Sequence, residues 1–274
     1  MNRRLAAVVV ISLFAITGCT TGQLSGGGSA SPSLAAPSSP SPTPSATMTT
    51  KPTQPSSPSA SNVPADFPES PLEAGTYTVA PFAAGTERLC HAPPQPGCTE
   101  TAADDAIRFT ITVPDGWSGV GNGIWLTGPG NGPPDGAGLL FARGAWLLSD
   151  PCKLMVADVP VGPTVADFVD AVAQHPILDT TAPVDVTLAG NSGKHFDLQV
   201  PADISTCESE SSGPPQYRPW EPGIYAQGPG QRWHVWALDV DGVRVVVQSF
   251  DYTRTSAAHR TELQAIVDSI KIEP

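Results

Sequence analysis

Residues 20–62 have a composition that cannot build a hydrophobic core, and this limits folding to the rest of the chain. The 43 residues include 12 Ser, 7 Thr, 8 Pro, 5 Ala and 4 Gly, with no aromatic residue and with Lys51 as their one charge. Such a segment has too little apolar surface to offset the conformational entropy lost on ordering. We therefore predict a disordered stalk over 20–62 and one globular domain over 63–274, which is long enough to bury a sizeable core.

The first 19 residues have the pattern of an export signal. Arg3 and Arg4 give a positive start, and an apolar stretch follows from Leu5 to Ile16. A helix of this length reaches only ~18 Å, short of the ~30 Å hydrocarbon core of a bilayer. The stretch therefore predicts a signal peptide and not a spanning helix.

The signal ends in Ile16-Thr17-Gly18-Cys19, which resembles the lipobox of bacterial lipoproteins. The resemblance implies that the sulfur of Cys19 carries a diacylglycerol group and that cleavage makes this residue N-terminal. Two acyl chains anchor a protein stably. We expect a lipid-anchored protein on the extracytoplasmic face of the cell membrane, with the membrane as a partner through Cys19. An ordinary secretory signal with an unrelated cysteine is the alternative.

The charge of the domain excludes some classes of partner. All 26 acidic residues follow residue 62, together with 11 basic residues, so the domain carries a formal charge of −15. This balance disfavours nucleic acid and anionic lipid surfaces. Only 15% of the whole chain is charged, and Pro and Gly exceed a fifth of it, which excludes a coiled coil and a collagen.

Four cysteines follow the stalk, namely Cys90, Cys98, Cys152 and Cys207. An even number in an exported chain predicts two disulfides, for which three pairings are possible. We prefer Cys90–Cys98, because this pair is close in sequence and encloses a Pro-rich loop, and Cys152–Cys207. The second bond would tie the segment before one helix to the loop after a later hairpin.

Hydrophobic periodicity predicts an order of strands, a helix, two hairpins and a final helix. This order favours an α+β fold in which an antiparallel β-sheet is covered by a few helices. The predicted elements are strands at 107–113, 124–126 and 138–148; a helix capped by Thr164 and Asp167 and ended by Pro176; hairpins around 190–193 and around Asp241-Gly242; and a helix from about Ser256 with Leu263, Ile266, Val267 and Ile270 as its buried stripe.

Several stretches resemble an uncharacterised family of secreted actinobacterial proteins. The family has no established activity, and its two cysteines match Cys152 and Cys207, which favours that disulfide. A strand followed by PDGW and a closing helix also resemble the Mog1/PsbP-like fold, which implies an architecture and no function. The matching stretches cover most of 105–272 and are FTITVPDGW from Phe109, Asp150-Pro151-Cys152, Gly162-Pro163-Thr164, APVDVTLAGNSGKHFDL from Ala182, and the run from LDVDGVRVVV through LQAIVDSI.

The sequence predicts no catalytic residue, metal or other cofactor. Gly190-Asn191-Ser192-Gly193 is one residue short of Gly-x-Ser-x-Gly, and its serine lies between two strands instead of at a strand-to-helix elbow. His195, Asp197 and His234 are a conceivable set of metal ligands. Single histidines on strands are more often solvated or hydrogen-bonded, so we do not predict a metal there.

Aromatic residues are concentrated in one segment, where Tyr217, Trp220, Tyr225, Trp233 and Trp236 follow closely on one another. Exposed Trp and Tyr rings stack on sugars or on partner proteins, so the five residues are our candidate binding surface. The Pro-rich loop at 208–222 would present Tyr217 and Trp220. Trp233 and Trp236 face opposite sides of one strand, so at least one of them packs in the core or an interface. Core packing of most of these rings is the alternative.

These patterns predict a lipid-anchored extracytoplasmic protein that acts by binding or docking. An envelope protein, a glycan and a small molecule are the partner classes that remain open. An envelope hydrolase with a site that one sequence does not reveal, and a passive structural surface protein, are the alternatives. A cleft joining a histidine, a carboxylate and a nucleophile would favour the enzyme. A concave pocket lined by Trp220, Trp233 or Trp236 would favour the binding protein.

Overall fold

The computed structural model describes residues 63–69, 71–82, 107–126, 135–153, 158–209, 213–221, 224–226 and 228–274. The predicted signal peptide, Cys19 and the stalk lie outside these residues, as do Cys90 and Cys98. No helix in the described part is long and apolar enough to cross a membrane.

The described residues form an α+β fold dominated by antiparallel strands, which confirms the predicted class. The elements are, in chain order, β1 (Gly75–Val79), β2 (Arg108–Val113), β3 (Trp117–Val120), β4 (Gly123–Leu126), β5 (Ala137–Ala142), β6 (Trp146–Leu147), β7 (Val159–Pro160), α1 (Val165–Ala173), β8 (Asp179–Thr180), β9 (Val184–Leu188), β10 (Asn191–Gln199), β11 (Arg232–Val240), β12 (Val243–Asp251), α2 (Ala257–Asp268) and β13 (Lys271–Glu273).

The main sheet has eight strands in the order β3-β4-β5-β12-β11-β10-β8, and β9 also pairs with β10. The predicted β11–β12 hairpin turns at Asp241-Gly242, with φ angles of 51° and 85°. Positive φ at both central residues is typical of a type I′ turn, whose twist matches that of the flanking strands. The β9–β10 hairpin also has positive φ angles at both turn residues, Ala189 and Gly190. Its turn therefore comes earlier in the sequence than the predicted loop at 190–193. Ser192 therefore lies inside β10 and not in the predicted loop.

Two smaller sheets complete the fold, with the strand orders β1-β2-β13 and β6-β7. The hydrophobic pattern does not predict β1, β3, β7, β8 and β13. Four of these five strands have only two to four residues. Hydrophobic alternation is too short to recognise over such lengths, and β13 exists because its three residues pair with β2, more than 150 positions away.

Both helices begin where the sequence predicts. Thr164 caps α1: its hydroxyl accepts a hydrogen bond from the Asp167 amide at 3.1 Å, and the Asp167 carboxylate accepts one from the Thr164 amide at 2.9 Å. This is the predicted capping box. Ser256 caps α2 by accepting from the His259 amide. Ile270, predicted as part of the helical stripe, is buried but lies just beyond the end of α2.

The main sheet has a hydrophobic core on each face. Alternate residues of β12 show the division, because Val245 and Val247 join one core and Val246 joins the other. The first core is closed by α2 and by the β1-β2-β13 sheet. The second is closed by α1 and by the segment that follows β10, and it includes the Cys152–Cys207 disulfide, whose predicted pairing is confirmed.

A buried arginine joins several loops beside the second core. Arg244 of β12 donates hydrogen bonds to the backbone carbonyls of Arg143, Gly144, Gly162 and Thr164. Burial lowers the pKa of Arg244 against the opposing influence of Glu221. The guanidinium thereby holds the start of α1 against the loop after β5.

Candidate functional site

A cleft of about 450 Å³ lies between α2 and one face of the main sheet. Its apolar lining consists of Val186 from β9, Trp236 from β11, and Leu263 and Val267 from α2. This size and this mixture of apolar walls with a few polar groups are typical of small-molecule sites.

Strand alternation explains why the polar groups of the cleft share one face. His195 of β10 lines the cleft and Asp197 lies near it, two residues further along the strand, whereas Phe196 and Leu198 between and beyond them are buried in the second core. On β11, His234 faces the cleft while its neighbour Trp233 is buried on the opposite side. Each strand therefore contributes polar residues to the cleft and apolar residues to the core.

Strand register brings groups from three strands into one row. Asp197 of β10 is paired with His234 of β11, and His234 is paired with Ser249 of β12. Two residues further along the same two strands, Arg232 is paired with Asp251. Cross-strand partners have Cβ atoms ~4.5–5.5 Å apart, so their side chains can interact directly.

His234 lies between two carboxylates. Its Nδ1 is 2.8 Å from Asp197 Oδ1, and its Nε2 is 3.3 Å from Asp251 Oδ2. The other oxygen of Asp251 accepts a hydrogen bond of 3.1 Å from Arg260 Nε on α2. Arg260 also donates to the carbonyl of Tyr252, at 2.7 Å. The row Asp197–His234–Asp251–Arg260 therefore joins the sheet to the helix through a chain of hydrogen bonds.

The pKa values of these groups shift in the directions that their partners impose. Burial opposes a charged imidazole, but the hydrogen bonds to Asp251 and Asp197 outweigh it, so the pKa of His234 is raised. Burial would raise the pKa of Asp251, yet the hydrogen bonds from His234 and Arg260 lower it. Burial and the nearby His234 lower the pKa of His195 in spite of Asp197. The pKa values of the two neighbouring imidazoles are therefore shifted in opposite directions.

His195 adds a second imidazole to the same part of the cleft. Its Nε2 lies 3.7 Å from Asp197 Oδ1. Its ring contacts Trp236 with a centroid separation of 4.9 Å and is nearly parallel to the ring of His234 at 6.5 Å. The three residues that the sequence analysis considered as metal ligands are thus brought together, with one ligand atom of each within 4.8 Å of the others.

The predicted aromatic surface is not formed, because three of its members are core residues. Tyr217, Trp220 and Trp233 are 1%, 0% and 1% exposed. Trp220 and Trp233 pack edge to face with ring centroids 5.1 Å apart. Burial raises the pKa of Tyr217 to about 12. The described part of the Pro-rich loop carries Tyr217 and Trp220 into the second core, so the interpretation of these three residues as exposed anchors is wrong.

The remaining two members of that set lie in different places. Trp236 is half-buried and lines the cleft, on the opposite face of β11 from Trp233 as the alternation predicts. Tyr225 is also half-buried, and its ring contacts the guanidinium of Arg218 at 4.9 Å. Tyr225 is not part of the cleft lining.

Ser249 in the cleft lining is the residue whose neighbours most resemble a catalytic serine with its histidine base. Ser249 is buried and lies opposite His234 in the strand register. A general base needs a ring nitrogen directed at the serine hydroxyl. Both ring nitrogens of His234 contact carboxylate oxygens instead. The arrangement is that of an imidazole hydrogen-bonded between two carboxylates and not that of a serine nucleophile with its base.

Sequence reasoning missed Ser249, Asp251 and Arg260, although a signal for the first two exists. A two-residue turn at Asp241-Gly242 pairs residues whose numbers are equally distant from the turn. The position of the turn alone therefore places Ser249 opposite His234 and Asp251 opposite Arg232. Arg260 gives no such signal, because its position depends on how α2 packs against the sheet.

Comparison with known proteins adds a structural likeness. No family model and no curated protein matches the chain. Among solved structures, the chain is similar to LpqN, which is described as involved in cell envelope biogenesis of Mycobacterium tuberculosis. The sequences are 15% identical, the match covers 65% of this chain and 100% of that chain, and the TM-score is 0.30.

Proposed function

We propose that this chain is a lipid-anchored protein of the cell envelope that binds a small molecule in the cleft between α2 and the main sheet. The observation that carries the binding function is the cleft itself, with Trp236 in its wall beside a row of charged groups. The lipobox-like Ile16-Thr17-Gly18-Cys19 supports the anchor. The composition of 20–62 supports a stalk that separates the domain from the membrane.

The cleft suits a ligand with an apolar or aromatic body and an anionic group. Trp236, Leu263 and Val267 offer apolar surface for the body. Arg232 and Arg260 supply guanidinium groups at the same cleft, with side chains 55% and 43% exposed. Partly exposed guanidinium groups can exchange a present partner for a ligand carboxylate or phosphate in bidentate geometry.

The charge of the cleft differs from that of the domain around it. The domain carries a formal charge of −15. The charged groups that line the cleft are instead Arg232 and Arg260 together with one carboxylate, Asp251, and the pKa of His234 in the same lining is raised. An acidic ligand therefore meets cationic side chains in this cleft, although the domain as a whole is strongly acidic.

An anionic aromatic probe tests the binding function. We expect 8-anilinonaphthalene-1-sulfonate to fluoresce on binding to the native protein, because its rings and sulfonate match the two parts of the cleft. Gln264 is exposed on α2 and lines the cleft. Gln264→Trp should fill the cleft and lower the probe affinity at least tenfold in a fluorescence titration.

The neighbouring Ala265 supplies the matched control. It is also exposed on α2 but does not line the cleft. Ala265→Trp adds the same ring to the same helix and should leave the probe affinity unchanged. If the two variants bind the probe equally well, the cleft is not its site and the proposed function is wrong.

The anchor is tested separately from the cleft. In cells fed an alkyne-labelled fatty acid, the wild-type protein should carry the label, and Cys19→Ala should lose it and leave the membrane fraction. Cys98→Ala is the matched control and should keep the label. Label that persists in Cys19→Ala would assign acylation to another residue and would overturn the lipobox interpretation.

A further inference from the structure

Two imidazoles and one carboxylate meet at one end of the cleft. His195 and Asp197 lie two residues apart on the same face of β10, and His234 lies directly opposite Asp197 on β11. The side chains of the three residues are 25%, 23% and 26% exposed, so they are partly shielded but remain reachable from solvent. The ligand-capable atoms of all three converge within 4.8 Å.

We propose that His195, Asp197 and His234 bind a divalent transition-metal ion, with Zn²⁺ as the test case. Zn²⁺ binds nitrogen and oxygen ligands at ~2.0–2.2 Å, so the ligand atoms of a tetrahedral site lie roughly 3.4 Å apart. The observed separations from Asp197 Oδ1 are 2.8 Å to His234 Nδ1 and 3.7 Å to His195 Nε2. The separation that zinc requires lies between these two distances. Small rotations of the side chains would reach it while the strands stay in place.

The groups behind His234 support its role as a ligand. A metal-binding histidine commonly donates its other ring N–H to a carboxylate, which fixes the ring orientation. His234 Nε2 faces Asp251 Oδ2 at 3.3 Å, while Nδ1 faces Asp197. Asp251, whose side chain is 10% exposed, is itself held by Arg260. Asp251 and Arg260 thus form the supporting pair that such a site requires.

Metal binding is compatible with the hydrogen bond now seen between His234 and Asp197. Both groups must offer lone pairs to the ion, so the proton on Nδ1 is released to solvent as the metal binds. Three protein ligands leave one tetrahedral position open, and two of these ligands, His195 and His234, line the cleft. An open fourth position is typical of zinc sites that bind a further ligand and not of closed structural sites.

The donor set also discriminates between metals. Imidazole suits Zn²⁺ and its neighbours in the transition series, whereas Ca²⁺ and Mg²⁺ require oxygen ligands. This inference does not rest on the proposed small-molecule function. Trp236 supplies no ligand atom, so Trp236→Ala should weaken binding of the anionic aromatic probe and leave zinc binding in place. The two proposals can therefore fail independently.

Isothermal titration of the detergent-purified full chain tests the site, with no affinity tag and after treatment with EDTA. We expect one Zn²⁺ per chain and no binding of Mg²⁺. His195→Gln and Asp197→Asn should abolish this stoichiometric binding. Asp251→Asn, which removes a supporting carboxylate, should weaken binding ~10–100-fold. His259→Gln changes a histidine of α2 outside the cleft and should bind as the wild type does.

Chemical footprinting of the wild-type protein tests the same site without a substitution. Its result therefore does not depend on whether a variant folds. Bound Zn²⁺ should protect His195 and His234, but not His259, from diethylpyrocarbonate, as read by peptide mass spectrometry. The proposal is overturned by a wild type that binds no Zn²⁺. It is equally overturned by His195→Gln and Asp197→Asn variants that retain binding, or by a footprint that Zn²⁺ does not change. The cluster is then an ion-pair network alone.

Discussion

Trp220→Ala should lower the free energy of unfolding by about 3–5 kcal/mol, the range measured for large aromatic residues removed from protein cores. Trp220 is 0% exposed and packs against Phe168, Phe196 and Trp233, with ring centroids 5.6, 6.5 and 5.1 Å away. The cavity left by the indole would adjoin three rigid rings that cannot all move into it. Chemical denaturation measures the change, and the melting temperature should fall by ~6–20 °C.

Trp236→Ala is the control for this prediction, because it removes the same side chain from a half-buried position at the cleft. Its effect on stability should be smaller, since part of the ring already contacts solvent. If Trp220→Ala melts within a degree of the wild type, Trp220 is not a core residue, and the loop that carries it must detach from the second core.

Removing the disulfide should have the second large effect. Cys152 and Cys207 are separated by 55 positions, and the chain-entropy estimate for closing such a loop is ~4 kcal/mol. Cys207 is also 6% exposed and packs in the second core. We expect the Cys152→Ala/Cys207→Ala double variant to lose about this much free energy of unfolding relative to the oxidised wild type in urea titrations.

Reduction supplies the matched control for the double variant. Dithiothreitol should destabilise the wild type by at least the same amount, because it opens the same bond. Added to the double variant, it should change stability only through the Cys90–Cys98 bond that the sequence predicts. Equal stability of the oxidised wild type and the double variant would show that this disulfide does not contribute to the fold.

The local features of the fold were predictable because short-range physics determines them. The α1 cap needs only Thr164 and Asp167, whose hydrogen bonds form within one turn. The β11–β12 hairpin needs only Asp241-Gly242, since this dipeptide adopts the positive φ angles that the turn demands. The loop of the β9–β10 hairpin was predicted too far along the sequence. Gly190 and Gly193 are both suitable turn residues, and only the strand pairing selects between them.

The candidate site was partly predictable for a related reason. Alternation alone places His195 and Asp197 on one strand face, and the sequence analysis grouped His234 with them. It did not predict a site there, because one sequence does not show which strand lies beside β10. The pairing of Asp197 with His234 depends on a connection of more than 30 residues between β10 and β11. Arg260 joins the group only through the packing of α2.

By itself, the sequence determined the class of fold, the order of its main elements, and the opposite facing of Trp233 and Trp236. These depend on side-chain periodicity, turn chemistry and helix caps, which act over a few residues. Only the tertiary structure decided that Tyr217 and Trp220 are core residues and that Arg244 joins four backbone carbonyls. It also decided that a cleft opens beside His234. Burial and cleft formation depend on which distant segments cover a side chain, and that coverage is a property of the whole packed chain.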